Sequence, residues 1–232
     1  MAYAFAPAPP PALPIQGDER LFPVHRIYCV GRNYAAHARE MGVTQREAPF
    51  FFMKPADAVV AIPADATGRI AYPPATANLH HEVELVVAIG KDGANIAKAA
   101  ARDHLWGYAI GLDLTRRDLQ QVAKDKRHPW EAGKSFDQSA PVGPLHPLAA
   151  TGLLTRGAIW LDVDGQRRQS GDLADLIWTV EEIIEQLSAL FELRRGDLIF
   201  TGTPEGVGPV QPGQRMDCGI DGLGTLSVRV GA

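Results

Sequence analysis

In residues 81–89, acidic and apolar side chains alternate at the start of an apolar segment. This pattern restricts the possible fold of the chain more than any other feature of its sequence. Side chains in a β-strand alternate between two faces, so residues two apart share a face. Glu82 and Glu84 therefore point the same way, with Cα atoms about 6–7 Å apart. The opposite face is apolar and consists of Val83, Leu85, Val87 and Ile89. The segment is predicted to be a strand that brings two carboxylates together.

Two neighbouring carboxylates repel each other unless positive charge lies between them. A hard divalent cation supplies that charge, since Mg²⁺, Mn²⁺ and Ca²⁺ prefer oxygen ligands. A solvated face, on which the two glutamates bind nothing, explains the same pattern. The alternation alone leaves both interpretations open.

Short apolar segments recur along the rest of the chain. Strands are predicted at residues 26–30, 50–54, 106–114, 158–163, 198–201 and 225–230. Helices are predicted near residues 34–41, 95–103, 116–124 and 178–191. Asn33 is the expected N-cap of the first helix, and Thr179 with Glu182 forms a capping box for the last. Asp164 and Gly165 are typical of a hairpin turn. Many short strands with few helices predict a β-rich α+β fold, in which long loops carry the chemistry.

The first 22 residues differ from the rest because they are rich in proline and alanine. Prolines forbid a helix there and favour an extended arm, which either wraps the domain or reaches a partner subunit. No linker or internal repeat divides residues 23–232, so they are expected to form a single catalytic domain.

Charge and cysteine content exclude several classes of protein. The formal net charge of the 232 residues is −4, without a basic patch, which argues against a nucleic-acid partner. Two distant cysteines do not make a disulfide framework or a zinc site. No apolar segment approaches the ~20 residues that span a bilayer, and the N-terminus lacks a signal peptide pattern. A cytoplasmic protein without a membrane partner is expected.

Asp113 lies within the apolar segment 106–114, where an unpaired carboxylate is costly to bury. It can cap the helix that follows at residue 116. It can also be a third carboxylate for the cation of Glu82 and Glu84, leaving open positions for water and substrate. The sequence around Asp113 leaves both roles open.

His37 and Glu40 are three residues apart in the first predicted helix, so they share one face. A carboxylate that binds one imidazole nitrogen fixes the tautomer and raises basicity, which lets the other nitrogen take a proton from water. A surface ion pair explains the same spacing.

Two glycine-containing segments suggest ligand binding. Gly133, Lys134 and Ser135 resemble the end of a phosphate-binding loop, but His128 replaces its upstream glycine, so that interpretation fails. The glycine-rich turn at residues 201–208 follows a predicted strand, and backbone amides there can bind a carboxylate.

In this order and spacing, the segments resemble the fumarylacetoacetate hydrolase family. The segments that carry the resemblance are GRNYAAHAREM, FFFMKPADAVV, HHEVELVVAIG, GYAIGLDLTRRDLQ, GKSFDQSAPVGP and DLIFTGTPEGVG. They lie within residues 26–230, so only the first ~20 residues fall outside the resemblance.

The resemblance implies a rolled mixed β-sheet core, a homodimer and an Mg²⁺ or Mn²⁺ site. It assigns metal ligation to Glu82, Glu84 and Asp113, a catalytic dyad to His37 and Glu40, and the active-site lysine to Lys134. Further positions fall in segments that contact substrate in relatives: Arg32, Arg117, Gln120 and Thr203.

The activity that the resemblance implies is metal-dependent hydrolysis of a carbon–carbon bond in a β-diketo acid. An acylpyruvate is the expected substrate, with fumarylpyruvate of the gentisate pathway of aromatic catabolism as the first candidate. Decarboxylation of oxaloacetate and isomerisation of a diketo acid remain alternatives, because both use metal-stabilised enolate chemistry. A non-catalytic, metal-stabilised interaction protein is an alternative of another class.

Overall fold

The computed structural model of the protein describes residues 3–34 and 47–231. The helix predicted from residue 34 to 41 lies beyond Tyr34 and so falls outside the described residues. The side chain of Asn33, its predicted N-cap, binds distant backbone, and the capping role stays a prediction. Its Nδ2 donates to the carbonyls of Trp178 and Thr201, at 3.0 and 2.7 Å.

Strands dominate the described residues. In chain order they are β1 (Ala12–Ile15), β2 (Asp18–Pro23), β3 (Ile27–Gly31), β4 (Phe50–Lys54), β5 (Val59–Ala61), β6 (Thr67–Ile70), β7 (Leu79–His81), β8 (Val83–Ile89), β9 (Leu105–Leu112), β10 (Thr115–Arg116), β11 (Ala140–Val142), β12 (His146–Pro147), β13 (Ala158–Val163), β14 (Gln166–Asp172), β15 (Leu198–Phe200), β16 (Gly208–Pro209), β17 (Arg215–Ile220) and β18 (Gly224–Val230). The α-helices are α1 (Arg117–Lys126), α2 (Glu131–Lys134), α3 (Leu148–Thr151) and α4 (Val180–Leu190). Short 3₁₀ helices cover Ala56–Ala58, Lys98–His104 and Leu173–Asp175.

In the part of the chain that the structure describes, the strands form two large mixed sheets and two small ones. The main sheet has the order β4-β3-β15-β8-β9-β11-β5, and β12 also pairs with β9. A second sheet has the order β14-β13-β17-β18-β6. Most pairs are antiparallel, while β3 with β15, β5 with β11 and β6 with β18 are parallel. The predicted β-rich fold with a mixed sheet is confirmed.

The predicted strand at 81–89 is divided at Glu82, because its two parts pair with different partners. His81 in β7 pairs with Gly208 in β16, whereas Val83 in β8 pairs with Leu112 in β9. Every residue of β8 is buried. Strand β8 is therefore covered by protein on both faces, whereas the sequence pattern predicted a buried core on one face only.

Two apolar cores lie on opposite faces of the main sheet. Leu85 and Val87 of β8 belong to the larger core, to which the second sheet and α4 also contribute. Val86 belongs to the smaller core, where it joins Leu13 and Phe22 from the hairpin of β1 and β2. The segment predicted as an arm thus folds back on itself over residues 12–23 and buries apolar side chains.

Two local sequence motifs, a hairpin turn and a helix capping box, are found where they were predicted. Asp164 and Gly165, with φ of 48° and 76°, form the hairpin turn between β13 and β14 as predicted. Thr179 and Glu182 form the predicted capping box of α4.

The helix predicted near 95–103 is instead the 3₁₀ helix Lys98–His104. Asn95 cannot begin an α-helix because its φ is +51° and its amide donates to the carbonyl of Ser188 in α4, at 2.8 Å. None of the helices in the described residues is long and apolar enough to cross a membrane.

Candidate active site

Three buried carboxylates meet at one end of the main sheet. Glu82 lies between β7 and β8, Glu84 lies in β8, and Asp113 follows β9. Each offers a carboxylate oxygen, and these oxygens lie within 4.8 Å of one another. The side chains are nearly inaccessible, with exposed fractions of 6%, 2% and 1%. The solvated-face interpretation of the two glutamates is therefore wrong.

Asp113 does not cap α1, so that alternative is also wrong. The N-cap position is Arg116, and no side chain there makes a capping hydrogen bond. The amide of Asp113 donates instead to the carbonyl of Glu82, at 2.9 Å. This backbone bond holds the end of β9 beside the break between β7 and β8, and so brings the two carboxylates together.

Three cations surround the carboxylates. Lys134 Nζ donates to Glu82 Oε2 at 2.9 Å and to Asp113 Oδ2 at 2.7 Å. Arg117 Nη2 donates to Glu82 Oε1 at 2.5 Å. Lys54 Nζ lies 2.9 Å from Asp113 Oδ1, yet that buried oxygen has no hydrogen bond of suitable geometry to any residue that the structure describes. One ligand oxygen of the cluster thus keeps its lone pairs available.

Burial and like charge act together on Glu84. Burial raises its pKa well above the usual range, and the charges of Asp113 and Glu82 add to the effect. The amide of Gly202 donates to Glu84 Oε2 at 2.7 Å and partly opposes the shift. Burial alone would lower the pKa of Lys134, but Asp113 and Glu82 outweigh it and raise that pKa.

The donor set fits a hard divalent cation. All three side chains offer carboxylate oxygen, which Mg²⁺ and Mn²⁺ prefer. Within the described residues, Asp113 Oδ1 lacks a hydrogen bond, and the charges of Asp113 and Glu82 raise the pKa of Glu84, which a cation between the three carboxylates would reverse. Glu82, Glu84 and Asp113 could therefore hold one Mg²⁺ or Mn²⁺ ion.

The carboxylates lie at the bottom of a cavity of about 390 Å³ that opens to solvent. Three aromatic side chains also line the cavity and are called the aromatic wall below: Phe50, Phe52 and Trp130. The ring centroid of Trp130 lies 5.1 Å from that of Phe50 and 5.8 Å from that of Phe52. The cavity therefore has a polar, charged floor and an apolar side.

All four residues predicted to contact substrate line this cavity, namely Arg32, Arg117, Gln120 and Thr203. Arg117 Nη1 donates to Gln120 Oε1 at 2.7 Å, which fixes both side chains on one face of α1. The hydroxyl of Thr203 donates to the carbonyl of Val83 at 2.7 Å. Lys134 lies within the carboxylate cluster. His37 and Glu40 lie outside the described residues, so their predicted contact stays a prediction.

The two glycine-containing segments have structural roles at this site. Gly133 allows α2 to approach α1, because a Cβ there would lie 2.9 Å from the backbone nitrogen of Gln120. That approach places Lys134 among the carboxylates. In the turn at 201–208, the amide of Gly202 binds a carboxylate as predicted, and the carboxylate belongs to Glu84 of the protein itself.

Sequence reasoning missed two buried polar residues that hold the site in place. Lys54 is fully buried, and its Nζ donates to the carbonyls of Leu114 and Lys134. Gln169 accepts from the amide of Val83 at 3.1 Å and donates to the Thr203 hydroxyl at 2.8 Å. A lysine at the end of the apolar segment 50–53 was a signal for the first, whereas nothing in the polar strand β14 singled out Gln169.

Comparisons with known proteins match nearly the whole chain. The family model described as fumarylacetoacetate (FAA) hydrolase C-terminal matches residues 26–231. A crystal structure of fumarylpyruvate hydrolase from Pseudomonas aeruginosa, in complex with Mn²⁺ and pyruvate, is 57% identical, with a TM-score of 0.97 over 99% of each chain. Fumarylpyruvate hydrolase from a Ralstonia species is 43% identical over 80% of this chain and 94% of its own. Mitochondrial oxaloacetate decarboxylase of Dictyostelium discoideum is also 43% identical, over 86% of this chain and 90% of its own.

Proposed function

This chain belongs to the fumarylacetoacetate hydrolase family, and we propose that it is a metal-dependent hydrolase of an acylpyruvate. The substrate with most support is fumarylpyruvate, which would be cleaved to fumarate and pyruvate. The observation that carries the proposal is the buried cluster of Glu82, Glu84 and Asp113 at the floor of an open cavity. The similar protein from Pseudomonas aeruginosa, solved with Mn²⁺ and pyruvate, supports both the metal and the product.

Glu82, Glu84 and Asp113 are the residues that would hold the Mg²⁺ or Mn²⁺ ion. When bound, such an ion is a Lewis acid that polarises the keto oxygens of the substrate and stabilises the enolate that leaves. Both ions accept an all-oxygen donor set, so the three carboxylates do not select between them.

The cationic side chains around the cluster bind and orient the substrate. Lys134 stays protonated between Glu82 and Asp113, and its charge stabilises negative charge on the attacked carbonyl oxygen. Arg117 and Gln120, joined by their hydrogen bond, present donors to the carboxylate end of the substrate. Thr203 and Arg32 line the same cavity and limit the positions that the substrate takes.

His37 and Glu40 supply the water activation in this proposal. Glu40 orients the imidazole of His37, which takes a proton from water as that water attacks the distal carbonyl carbon. The bond between this carbon and the methylene of the pyruvate unit then breaks. The acyl part leaves as a carboxylic acid, and the pyruvate enolate takes up the proton that His37 removed from water, which gives pyruvate.

We further propose that the enzyme is a homodimer in the cytoplasm. There it would act in the gentisate pathway of aromatic catabolism, as its family membership suggests. Sedimentation of the purified chain tests the dimer directly, since a monomer has a mass of 25.0 kDa.

Oxaloacetate decarboxylation is the second candidate function. It is favoured by the 43% identity to the Dictyostelium discoideum oxaloacetate decarboxylase. Decarboxylation uses the same enolate stabilisation but needs no nucleophilic water. The two functions therefore differ in what they require of His37.

The deciding experiment measures pyruvate release from fumarylpyruvate, acetylpyruvate and oxaloacetate, each with Mg²⁺, with Mn²⁺ and with a chelator. We expect metal-dependent release from fumarylpyruvate, with loss of activity in His37→Ala and Glu82→Gln and full activity in the surface variant Glu192→Gln. Release from oxaloacetate alone, unaffected by His37→Ala, would replace hydrolysis by decarboxylation. A protein that turns over none of the three, fails to bind oxalate and unfolds without metal would be non-catalytic.

A further inference from the structure

The cavity has a second positively charged region away from the carboxylates. Lys124 and Arg32 both line it, and within the described residues neither forms an ion pair with a carboxylate. Among residues 3–34 and 47–231, the buried Nε atom of Arg32 has no hydrogen-bond acceptor. Lys54, Lys134 and Arg117, by contrast, are each paired with Glu82 or Asp113. Of the cavity cations that the structure describes, Lys124 and Arg32 are therefore the two without a carboxylate partner among the described residues.

Helix α1 sets the distance of Lys124 from the carboxylate cluster. Arg117, Gln120 and Lys124 recur at helical spacing on the face of α1 that lines the cavity. Arg117 lies at the cluster, where it contacts Glu82. Lys124 follows seven residues later, which corresponds to about 10 Å along the helix axis.

The aromatic wall connects the two charged regions. Lys134 Nζ lies 5.1 Å from the ring centroid of Phe52 at the cluster end, and Lys124 Nζ lies 5.3 Å from that of Trp130 at the far end. Phe52 and Trp130 contact each other, with centroids 5.8 Å apart. A ligand that extends along this wall meets apolar rings in its middle and positive charge at its far end.

We propose that Lys124, together with Arg32, binds the distal carboxylate of the substrate and selects acylpyruvates that carry one. This inference rests on the proposed function and specifies its substrate class as seven-carbon oxo-dicarboxylates. The two carboxyl carbons of such a chain are separated by six bonds of about 1.5 Å, or roughly 7 Å when the chain is extended. That length fits a chain whose oxo-acid end lies at the cluster and whose distal carboxylate approaches Lys124, since a lysine side chain reaches back over part of the helix.

Electrostatics favours an anion at this position. Burial lowers the pKa of Lys124, and the positive charges of Arg117 and Arg32 lower it further. The contact of Lys124 Nζ with the Trp130 ring accounts for the position of this ammonium, but it does not account for the second cation, Arg32, in the same cavity. A carboxylate between Lys124 and Arg32 would offset their repulsion.

The first test measures binding, so it does not depend on turnover. The Mn²⁺-loaded protein is titrated by calorimetry with 2-oxoheptanedioate and with 2-oxoheptanoate, which have equal length and differ only in the distal carboxylate. We expect the dicarboxylate to bind about 10- to 100-fold more tightly, as one charge-assisted hydrogen bond allows. Lys124→Met should remove most of this preference, and Lys124→Arg should retain it. Lys126→Met, an exposed lysine on the same helix, is the matched control.

The second test compares kcat/KM for fumarylpyruvate with kcat/KM for acetylpyruvate. Lys124→Met should lower this ratio about 10- to 100-fold through a higher KM for fumarylpyruvate. Equal binding of the two oxo acids by the unaltered protein would overturn the subsite. So would a preference that survives Lys124→Met, or one that Lys126→Met removes as well. Preferred binding of 2-oxoheptanedioate without pyruvate release from either acylpyruvate would instead keep the subsite and reject the proposed function.

Discussion

Lys134 Nζ lies 2.7 Å from Oδ2 of Asp113, and both side chains are almost completely buried. The same ammonium donates to Glu82, so one cation serves two of the three clustered carboxylates. Transfer of three carboxylates into the protein interior without such a partner would cost several kcal/mol for each ion. Lys134 therefore stabilises the cluster in the folded protein and remains charged for catalysis.

Replacement of Lys134 by methionine should lower both activity and stability. The variant leaves Asp113 with the imperfect contact of Lys54 and removes one donor from Glu82. Breaking a buried ion pair in this way typically costs about 3–5 kcal/mol. We expect kcat to fall at least about 100-fold, because a single charge-stabilising donor has an effect of that size. Urea unfolding and pyruvate release check the two effects, and Lys126→Met should change neither.

Binding of Mn²⁺ should raise the melting temperature, because the ion binds the folded cluster and not the unfolded chain. At 100 times its dissociation constant a ligand contributes about 2.7 kcal/mol, which is roughly 5–10 °C for a chain of this size. Glu84→Gln should abolish the increase. The same variant should melt higher than the unaltered protein in chelator, since burial and the charges of Asp113 and Glu82 oppose ionisation of Glu84.

Thermal melts of the unaltered protein and of Glu84→Gln, each with Mn²⁺ and with chelator, measure both effects. Glu192→Gln, an exposed carboxylate, should keep the full increase. A metal-induced increase that persists in Glu84→Gln would remove Glu84 from the ligand set.

The sequence predicted those features that depend on local patterns. Alternation predicted β8 and the convergence of Glu82 with Glu84, and capping residues predicted the start of α4. The division of the strand at Glu82 was not predictable locally, because it follows from pairing with β16, more than 100 residues later in the chain. The role of Asp113 required a resemblance for the same reason, since helix capping explains an aspartate before residue 116 equally well.

Polar side chains that hold the site residues in place, such as Gln169, were the least predictable from sequence. Gln169 contacts Val83 and Thr203, which come from β8 and from the loop after β15. No spacing within β14 indicates these contacts. Lys124 belongs to the same category, because its place in the cavity depends on how α1 packs against α2 and the aromatic wall.

Gly202→Ala should weaken both the fold and the metal site. Gly202 has a φ of +101°, and an added Cβ would lie 2.8 Å from Cβ of Asn33. Either Asn33 moves or the Gly202 amide leaves Glu84, which loses its 2.7 Å hydrogen bond. We expect a loss of stability of about 2–3 kcal/mol and a weaker response of the melting temperature to Mn²⁺.

Gly213→Ala is the matched control for this substitution. Gly213 also has a positive φ, of +84°, but an added Cβ there meets no atom within 4 Å. It should therefore lose only the stability that backbone strain costs and keep its response to Mn²⁺. Equal effects of the two variants on the Mn²⁺ response would show that the Gly202 contact with Glu84 is unimportant.

Asp118→Asn should reduce the pH dependence of stability at the start of α1, the helix that carries Arg117 and Gln120. Asp118 accepts hydrogen bonds from the Thr76 hydroxyl at 2.6 Å and from the amide of Ala77 at 3.0 Å. Burial alone would raise the pKa of Asp118, but these bonds and one from its neighbouring amide outweigh it and lower that pKa.

A carboxyl group whose pKa is lower in the folded protein stabilises the fold above its unfolded pKa of about 3.9, and this stabilisation is lost as the pH falls through the folded value. The difference in unfolding free energy between the unaltered protein and Asp118→Asn should thus be about 0.5–1 kcal/mol at pH 7 and shrink below pH 4. Urea unfolding at pH 7, 5 and 3.5 measures this difference. Asp103→Asn, at an exposed aspartate outside α1, is the matched control for the loss of one negative charge. A difference that is constant with pH would mean that Asp118 stabilises the start of α1 through its shape and not its charge.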